Sequence, residues 1–372
     1  MADSRPKRSW ISSIPLPTFE GVLVPILAVV AALLVGVLFI LWVGRDPIEA
    51  YSALWRVTFG TPRNTLETLV DTVPLIFTGL SVALAFRSGL FNIGGEGQYL
   101  VGSLAAAVAG YLMPGLPSVL HMLLVLLAGF VAGGLWAALP GWLKARLGVH
   151  EVINTIMMNY IAIFFVHWLL LAHLKDPTTM VPRTPPVLPS AVLPLLVQGT
   201  RFHVGFFVAL LAALAVYFLL WRTTTGYEIR AVGLSPAAAE YGGISVGKNL
   251  VLAMVLSGGL AGLAGAVQVA GVSHAYYDAF GFVGYGFNGI AVALLGRNHP
   301  AGVLVGALLF GALGRGGVRG MQAIAGVPKS MIGVVQAAII FFIAAEAIFR
   351  VLVPHRRERH ASATVTEGGA GQ

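Results

Sequence analysis

Cysteine is absent from this 372-residue chain, which excludes disulfide frameworks, thiolate metal sites and cysteine nucleophiles. Charge is scarce as well. Asp, Glu, Lys and Arg make up 10% of the residues and hydrophobic residues 57%, whereas a soluble domain carries about 25% charged residues. The composition therefore describes an all-α polytopic membrane protein. The nine histidines never stand as His-x-x-x-His, and no metal-ligand cluster is expected. The net charge of +8 is scattered between apolar runs, with no basic stripe interleaved with aromatics, so it reads as membrane topology and not as a nucleic-acid footprint.

A run of about 20 apolar residues crosses the hydrocarbon core. Such runs, some shorter, fall at 21–43, 66–86, 152–174, 203–221, 249–270, 287–296, 301–314 and 330–349. The stretch 98–143 holds no Asp, Glu, Lys or Arg. It is long enough to cross twice, turning at Met113-Pro114-Gly115-Leu116-Pro117. About ten transmembrane helices are expected, some short or broken. The first follows Arg5, Lys7 and Arg8 like a signal peptide, but it is too long and lacks a small-x-small cleavage site, so it reads as a retained helix.

With the N-terminus inside, Lys and Arg sort as fourteen inside and nine outside, which places both termini in the cytoplasm. Residues 1–20 then form a basic cytoplasmic N-terminus, 21–354 the transmembrane domain, and 355–372 a cytoplasmic tail expected to be disordered. The proline-rich stretch 175–200 reads as an extracytoplasmic loop. Asp278, with Tyr276 and Tyr277, reads as part of a solvated outer loop, and Glu346 as an ion-pair partner of Arg350 four residues on.

Two glycine strings imitate nucleotide motifs. Gly242-x-x-x-x-Gly247-Lys248 is followed by Asn249 where a phosphate loop needs a hydroxyl for magnesium, and no strand leads into it. Gly284-x-Gly286-x-x-Gly289 has neither the leading strand nor the downstream acid of a dinucleotide site. ATP, if it drives this chain, must bind elsewhere. The pairs Gly129/Gly133, Gly258/Gly262 and Gly302/Gly306 are read as internal helix packing.

Glycine has a different use at Gly89-Leu90-Phe91-Asn92-Ile93-Gly94-Gly95-Glu96-Gly97-Gln98, which breaks the helix between two spans. Irregular backbone at membrane depth is tolerated only when buried in protein or lining a wet cavity, making Phe91, Asn92, Glu96 and Gln98 candidate pathway residues. The second half echoes the first. Phe91-Asn92-Ile93-Gly94 precedes one Gly/Ala-rich span, and Phe287-Asn288-Gly289-Ile290 precedes another that is interrupted at Arg297-Asn298-His299-Pro300. Pseudo-repeated halves of this kind point to a permeation site and add Phe287 and Asn288. Between them, Asn154 and Met158 share a helical face, with Asn159 adjoining. Their amides suit a sugar hydroxyl, a base edge or a neighbouring helix. A membrane acid is expensive, so Glu96 is a pathway group, a partner of Arg87 at the interface, or a helix cap.

The longest cytoplasmic segment between spans, 222–248, contains a short amphipathic helix over 235–241, started by Ser235 as N-cap and Pro236 at the first helical position. Such a helix is too short to stand alone and needs an external surface. The segment resembles the coupling helix of ABC-transporter permeases. Together with 89–98, 151–160 and 287–300, it makes the chain, from about its second span to its last, resemble the permease subunit of a nucleoside-type ABC importer. That family is shared with simple-sugar and branched-chain amino acid permeases. The string Asn92-Ile93-Gly94-Gly95-Glu96-Gly97-Gln98 resembles the nucleoside branch, of guanosine or purine type.

The resemblance implies a multi-pass subunit of the bacterial cytoplasmic (inner) membrane. It would pair with a second, related permease chain, two ATPase subunits that hold ATP and Mg, and an extracytoplasmic binding lipoprotein. It implies alternating access without covalent chemistry and with no cofactor on this chain. ATPase coupling would fall on Gly226, Glu228, Arg230, Gly233, Ser235, Pro236, Ala238, Glu240, Tyr241 and Gly243. Substrate contact would fall on Phe91, Asn92, Glu96, Gln98, Asn154, Met158, Asn159, Phe287 and Asn288. The alternatives are a simple-sugar or autoinducer permease and, from another class, a proton-coupled secondary transporter titrating Glu96. An integral-membrane enzyme would need a nucleophile or metal constellation that the sequence does not supply.

Overall fold

A computed structural model describes the backbone of residues 19–278 and 280–352 and the side chains of 26–278 and 280–342. The basic residues Arg5, Lys7 and Arg8, the tail 355–372 and the side chains of Glu346 and Arg350 lie outside the described residues. The helices are α1 (Phe19–Trp42), α2 (Pro47–Phe59), α3 (Pro62–Arg87), α4 (Gly95–Leu112), α5 (Ser118–Leu147), α6 (Glu151–Leu169), α7 (Gly205–Arg222), α8 (Thr224–Leu234), α9 (Pro236–Tyr241), α10 (Val246–Gln268), α11 (Tyr285–Leu295), α12 (Pro300–Gly316) and α13 (Lys329–Leu352). Among the described residues the only β pairing is two isolated bridges, Arg183 with Tyr277 and Leu195 with His203.

A polar cap followed by proline starts α2, α3, α9 and α12. Asp46, Thr61, Ser235 and His299 each accept a backbone N–H of the first turn while the proline fills a position that needs no donor. Six helical stretches are long and apolar enough to cross a membrane: Pro62–Arg87, Ser118–Leu147, Glu151–Leu174, Gly205–Arg222, Val246–Ser273 and Pro300–Gln322. Ile26–Trp42, Tyr285–Leu295 and Lys329–Phe342 are shorter apolar helices, and α4 begins inside the protein. The protein is thus an all-α polytopic membrane protein. At about 1.5 Å per residue, α11 crosses only about half of a hydrocarbon core of ~30 Å.

The central helix is α3, 83% of whose most apolar window is buried, against 28% for α5 and for α7. Beside it α5 and α10 meet backbone to backbone. A methyl on Gly262 would lie 2.1 Å from the Gly129 carbonyl oxygen, and one on Gly133 2.4 Å from that of Gly258. Gly302 likewise abuts Gly296. The three glycine pairs therefore pack within the subunit, as read from the sequence.

Two helices depart from the sequence reading. The α2 helix buries Ala50 and Ala53 beside the π-helical turn Gly317–Gln322 that extends α12. The α8 helix occupies what reads as loop, because its threonines and two glycines are weak helix formers. Buried Ile229 and Val232 fix it through packing. The proline-rich segment after α6 is a strap more than a loose loop. Its Thr184, Val187, Leu188 and Leu193 N–H groups donate to the carbonyls of Tyr276, His274, Gly110 and Ala270. Arg87, Arg230 and Arg297 meet at the α8–α9 end, and Arg201 and Arg315 at the opposite end. Sorting Lys and Arg by alternate spans likewise puts the first three on one side and the last two on the other.

Candidate functional site

The helix break lies between Arg87 and Gly95, where the chain turns back among α4, α6 and α10 and must find partners for its backbone. Side-chain amides supply them. Asn92 Nδ2 donates to Gln98 Oε1 (2.9 Å) and Ser257 Oγ (2.8 Å), while Gln98 Nε2 and the Gly94 N–H both donate to Asn92 Oδ1 (3.1 and 2.9 Å). Asn159 accepts the Gly97 N–H at 2.8 Å and donates to the Ile93 carbonyl at 2.9 Å. Thr155 Oγ1 accepts the Ile93 N–H.

Glu96 is fully buried where the N-termini of α4 and α11 cross. Its two carboxylate oxygens accept the Gly284 and Gly286 N–H groups at 2.6 and 2.7 Å. Two positive helix ends thus converge on one carboxylate. The crossing is close: a methyl on Gly286 would lie 2.3 Å from the Glu96 nitrogen, and Gly284 adopts φ +96. Backbone approach therefore accounts for the glycines that spell a dinucleotide fingerprint. Arg87 is not the partner of Glu96, since its guanidinium donates to the carbonyls of Asn298 and Arg297. The two Phe-Asn strings also sit differently, the first before α4 and the second inside the first turns of α11. The two strings therefore do not occupy equivalent places relative to their helices.

The remaining predicted residues disperse. Phe91 packs on Phe86 at 4.9 Å between ring centroids. Asn154 reaches the Pro140 carbonyl on α5, and buried Met158 offers its own carbonyl to Trp136. Phe287 is exposed beside Phe282, whereas Asn288, the next residue along α11, lines a cavity with Tyr285.

At the α8–α9 end, Trp221 lies beneath two guanidiniums, with Arg87 5.3 Å and Arg230 5.9 Å from the ring centroid. Glu228 accepts from Asn249 at 3.0 Å, tying α8 to α10. Gly226 is pressed against the Leu219 carbonyl, and Gly233 against Arg87 and Gly89. Ser235 caps α9 by accepting the Ala238 N–H at 3.3 Å, and Gly243 turns the chain at φ +80. Pro236, Ala238 and Glu240 are exposed, and Leu234 and Tyr241 are 89% and 98% exposed. The α9 end therefore presents two bare apolar side chains beside its short capped helix.

The opposite end holds a cluster outside the predicted set. Arg201 Nε donates to Glu67 at 2.7 Å and its Nη2 to Asp71 at 3.0 Å, and Arg315 Nη1 donates to Asp71 at 3.1 Å. Asp71 and Arg315 line a cavity of about 240 Å³ with Tyr285, Asn288, Phe310 and Gln336. The signal for this cluster was present: Glu67 and Asp71 are acids within a span, as telling as Glu96. Asp278, read as solvated, is instead tucked in and bonded to His167 Nδ1. Among the described residues no group of three or more His, Asp or Glu is placed to hold a metal.

Comparison with known proteins adds the lineage. The family model for the branched-chain amino acid transport system / permease component matches residues 64–344. The guanosine ABC transporter permease protein NupP of Bacillus subtilis is 43% identical over 91% of this chain and 98% of its own. The nucleoside ABC transporter permease protein NupB of Lactococcus lactis is 39% identical over 94% of this chain and 97% of its own. The glucose ABC transporter permease protein TsgB13 of Haloferax volcanii is 34% identical over 93% and 94%.

Proposed function

This chain belongs to the branched-chain amino acid transport system permease family, and from that premise we propose that it is the membrane-spanning permease subunit of an ATP-driven ABC importer for nucleosides. The observation that carries the substrate class is end-to-end identity with guanosine and nucleoside permeases, higher than with the glucose permease. The glucose relative supports a simple-sugar importer as the second reading.

In this reading α9 and the exposed Leu234 and Tyr241 seat on an ATPase subunit that holds ATP and Mg, so the α8–α9 end faces the cytoplasm and both termini with it. A binding lipoprotein delivers cargo to the opposite end, and a second, related permease completes the pathway in a bacterial inner membrane. ATP-driven movement of α9 passes through α8 to the 88–94 segment, because Gly233 touches Gly89. From there the Asn92–Gln98 pair and Glu96 relay it to the crossing of α4 with α11. A two-state shift at that crossing would open the pathway alternately to each side.

The test is reconstitution of the purified complex, pulled down through this subunit, into proteoliposomes. ATP-dependent accumulation of guanosine or another nucleoside, exceeding that of glucose, is expected. Accumulation of glucose alone would install the sugar reading, and flux driven by a pH gradient without any ATPase subunit would remove the importer reading altogether.

A further inference from the structure

The geometry points to a ribose subsite in the cavity between α3, α11, α12 and α13, with Asp71 as the acceptor of the 2′- and 3′-hydroxyls of a nucleoside. The inference rests on the nucleoside reading above and deepens it.

Size is the first argument. A cavity of about 240 Å³ falls below the ~300–1,000 Å³ that engulfs a drug-sized ligand. It leaves room for a group as small as a sugar ring. The second argument is the donor and acceptor set. Each Asp71 oxygen takes one guanidinium N–H, from Arg201 and from Arg315. A carboxylate has about four lone-pair sites, so acceptor capacity remains on both oxygens, and the side chain is 29% exposed. Two adjacent oxygens that are fixed from behind and open in front match a vicinal diol, whose two O–H groups donate in parallel. An acid on the ribose hydroxyls is a recurrent solution in nucleotide sites.

Charge is the third. Glu67 and Asp71 are balanced by Arg201 and Arg315, so the network is neutral as a whole and suits an uncharged cargo. Exposed Arg319 stands at the rim. Arg315 is 4% exposed at its side chain, and its Nε has no partner within the protein. Asn288 and Gln336 add amides that both donate and accept, and Tyr285 supplies an aromatic wall. A hexose carries the same diol chemistry, so the experiment must separate the two.

The experiment uses the assembled transporter in proteoliposomes, with the same binding protein in every arm, so that any change between wild type and variant originates in the permease. Initial uptake is measured for a ribonucleoside, its 2′-deoxy and 3′-deoxy analogues, the 5′-monophosphate and glucose. Wild type is expected to favour the ribonucleoside over either deoxy analogue, and Asp71→Asn to shrink that ratio by about tenfold. Because Asp71→Asn also disturbs the ion network, a second variant avoids it. Gly314 lines the cavity, and a Cβ there meets nothing within 4 Å, so Gly314→Leu fills the space and should cut nucleoside uptake about tenfold with the amount of complex unchanged. Unchanged ratios in Asp71→Asn together with wild-type uptake in Gly314→Leu would remove the subsite while leaving a nucleoside importer standing. A wild-type complex that moves glucose and no nucleoside would defeat both readings.

Discussion

Gly233 on α8 lies against Gly89 at the start of the helix break: a methyl on Gly233 would stand 2.9 Å from the Gly89 nitrogen and 2.2 Å from the Arg87 carbonyl oxygen. The clash is with backbone, which has no rotamer to yield. Gly233→Val should therefore push α8 away from the 88–94 segment while leaving the exposed face of α9 intact. ATPase subunits should still co-purify, and ATP-driven uptake should fall on the order of tenfold. Wild-type uptake in this variant would show that coupling does not run through this contact.

Glu96 tests the energy source. Glu96→Gln retains the shape but has one acceptor where two are needed, so an N–H of Gly284 or Gly286 faces an NH₂ group. A buried unsatisfied donor costs about 1–3 kcal/mol, and the crossing of α4 with α11 should loosen. Uptake should decline yet remain ATP-dependent. In a proton-coupled transporter the same change would abolish accumulation and spare passive exchange, because an amide cannot carry a proton between sides. Concentrative uptake with internal ATP, compared with an imposed pH gradient, separates the two.

The sequence announced the helix break at 89–98, the cap and proline that open α9, and the glycine pairs of α5 and α10, because each follows from local chemistry or from the polarity rule of the bilayer. It did not announce α8, whose helix depends on burying Ile229 and Val232 against distant residues. Nor did it place the carboxylate of Glu96 on α11, a partnership across nearly two hundred positions that no local pattern encodes. Asp71 was legible in principle as an acid within a span. Its partners Arg201 and Arg315 were not, since they come from separate elements that only the packing brings together.

The α5–α10 contact predicts a sign reversal between two identical substitutions. Gly262→Ala places a methyl 2.1 Å from the Gly129 carbonyl and should destabilise the subunit by about 1–3 kcal/mol through overpacking. At Gly333 on α13 an added Cβ meets nothing within 4 Å, so Gly333→Ala should gain up to ~1 kcal/mol from helix propensity alone. Thermal unfolding of the purified protein in detergent measures both. Equal effects of the same sign would mean that the glycine contact does not hold α5 to α10.

The last prediction concerns pH and rests on His203, which stands in the strap just before α7. Its Nδ1 accepts the Gly205 N–H at 3.0 Å, so Nε2 carries the proton of the neutral ring. A methyl on Gly271 would lie 2.5 Å from that Nε2, and Nε2 finds no partner within the protein. Burial, assisted by the nearby His274 and Arg201, pushes His203 down to about 4. In the unfolded chain it titrates near 6.5. Between those values the unfolded state binds a proton that the folded state refuses, so stability falls as pH drops through this window. The linkage amounts to about 2 kcal/mol between pH 7 and pH 5. Protonation would also turn Nδ1 into a donor facing the Gly205 N–H, opening the turn that starts α7. His203→Gln keeps an acceptor for Gly205 without a titrating group. Its unfolding midpoint should therefore change less between pH 7 and pH 5 than that of the parent, and an identical pH dependence in both proteins would place the acid sensitivity elsewhere.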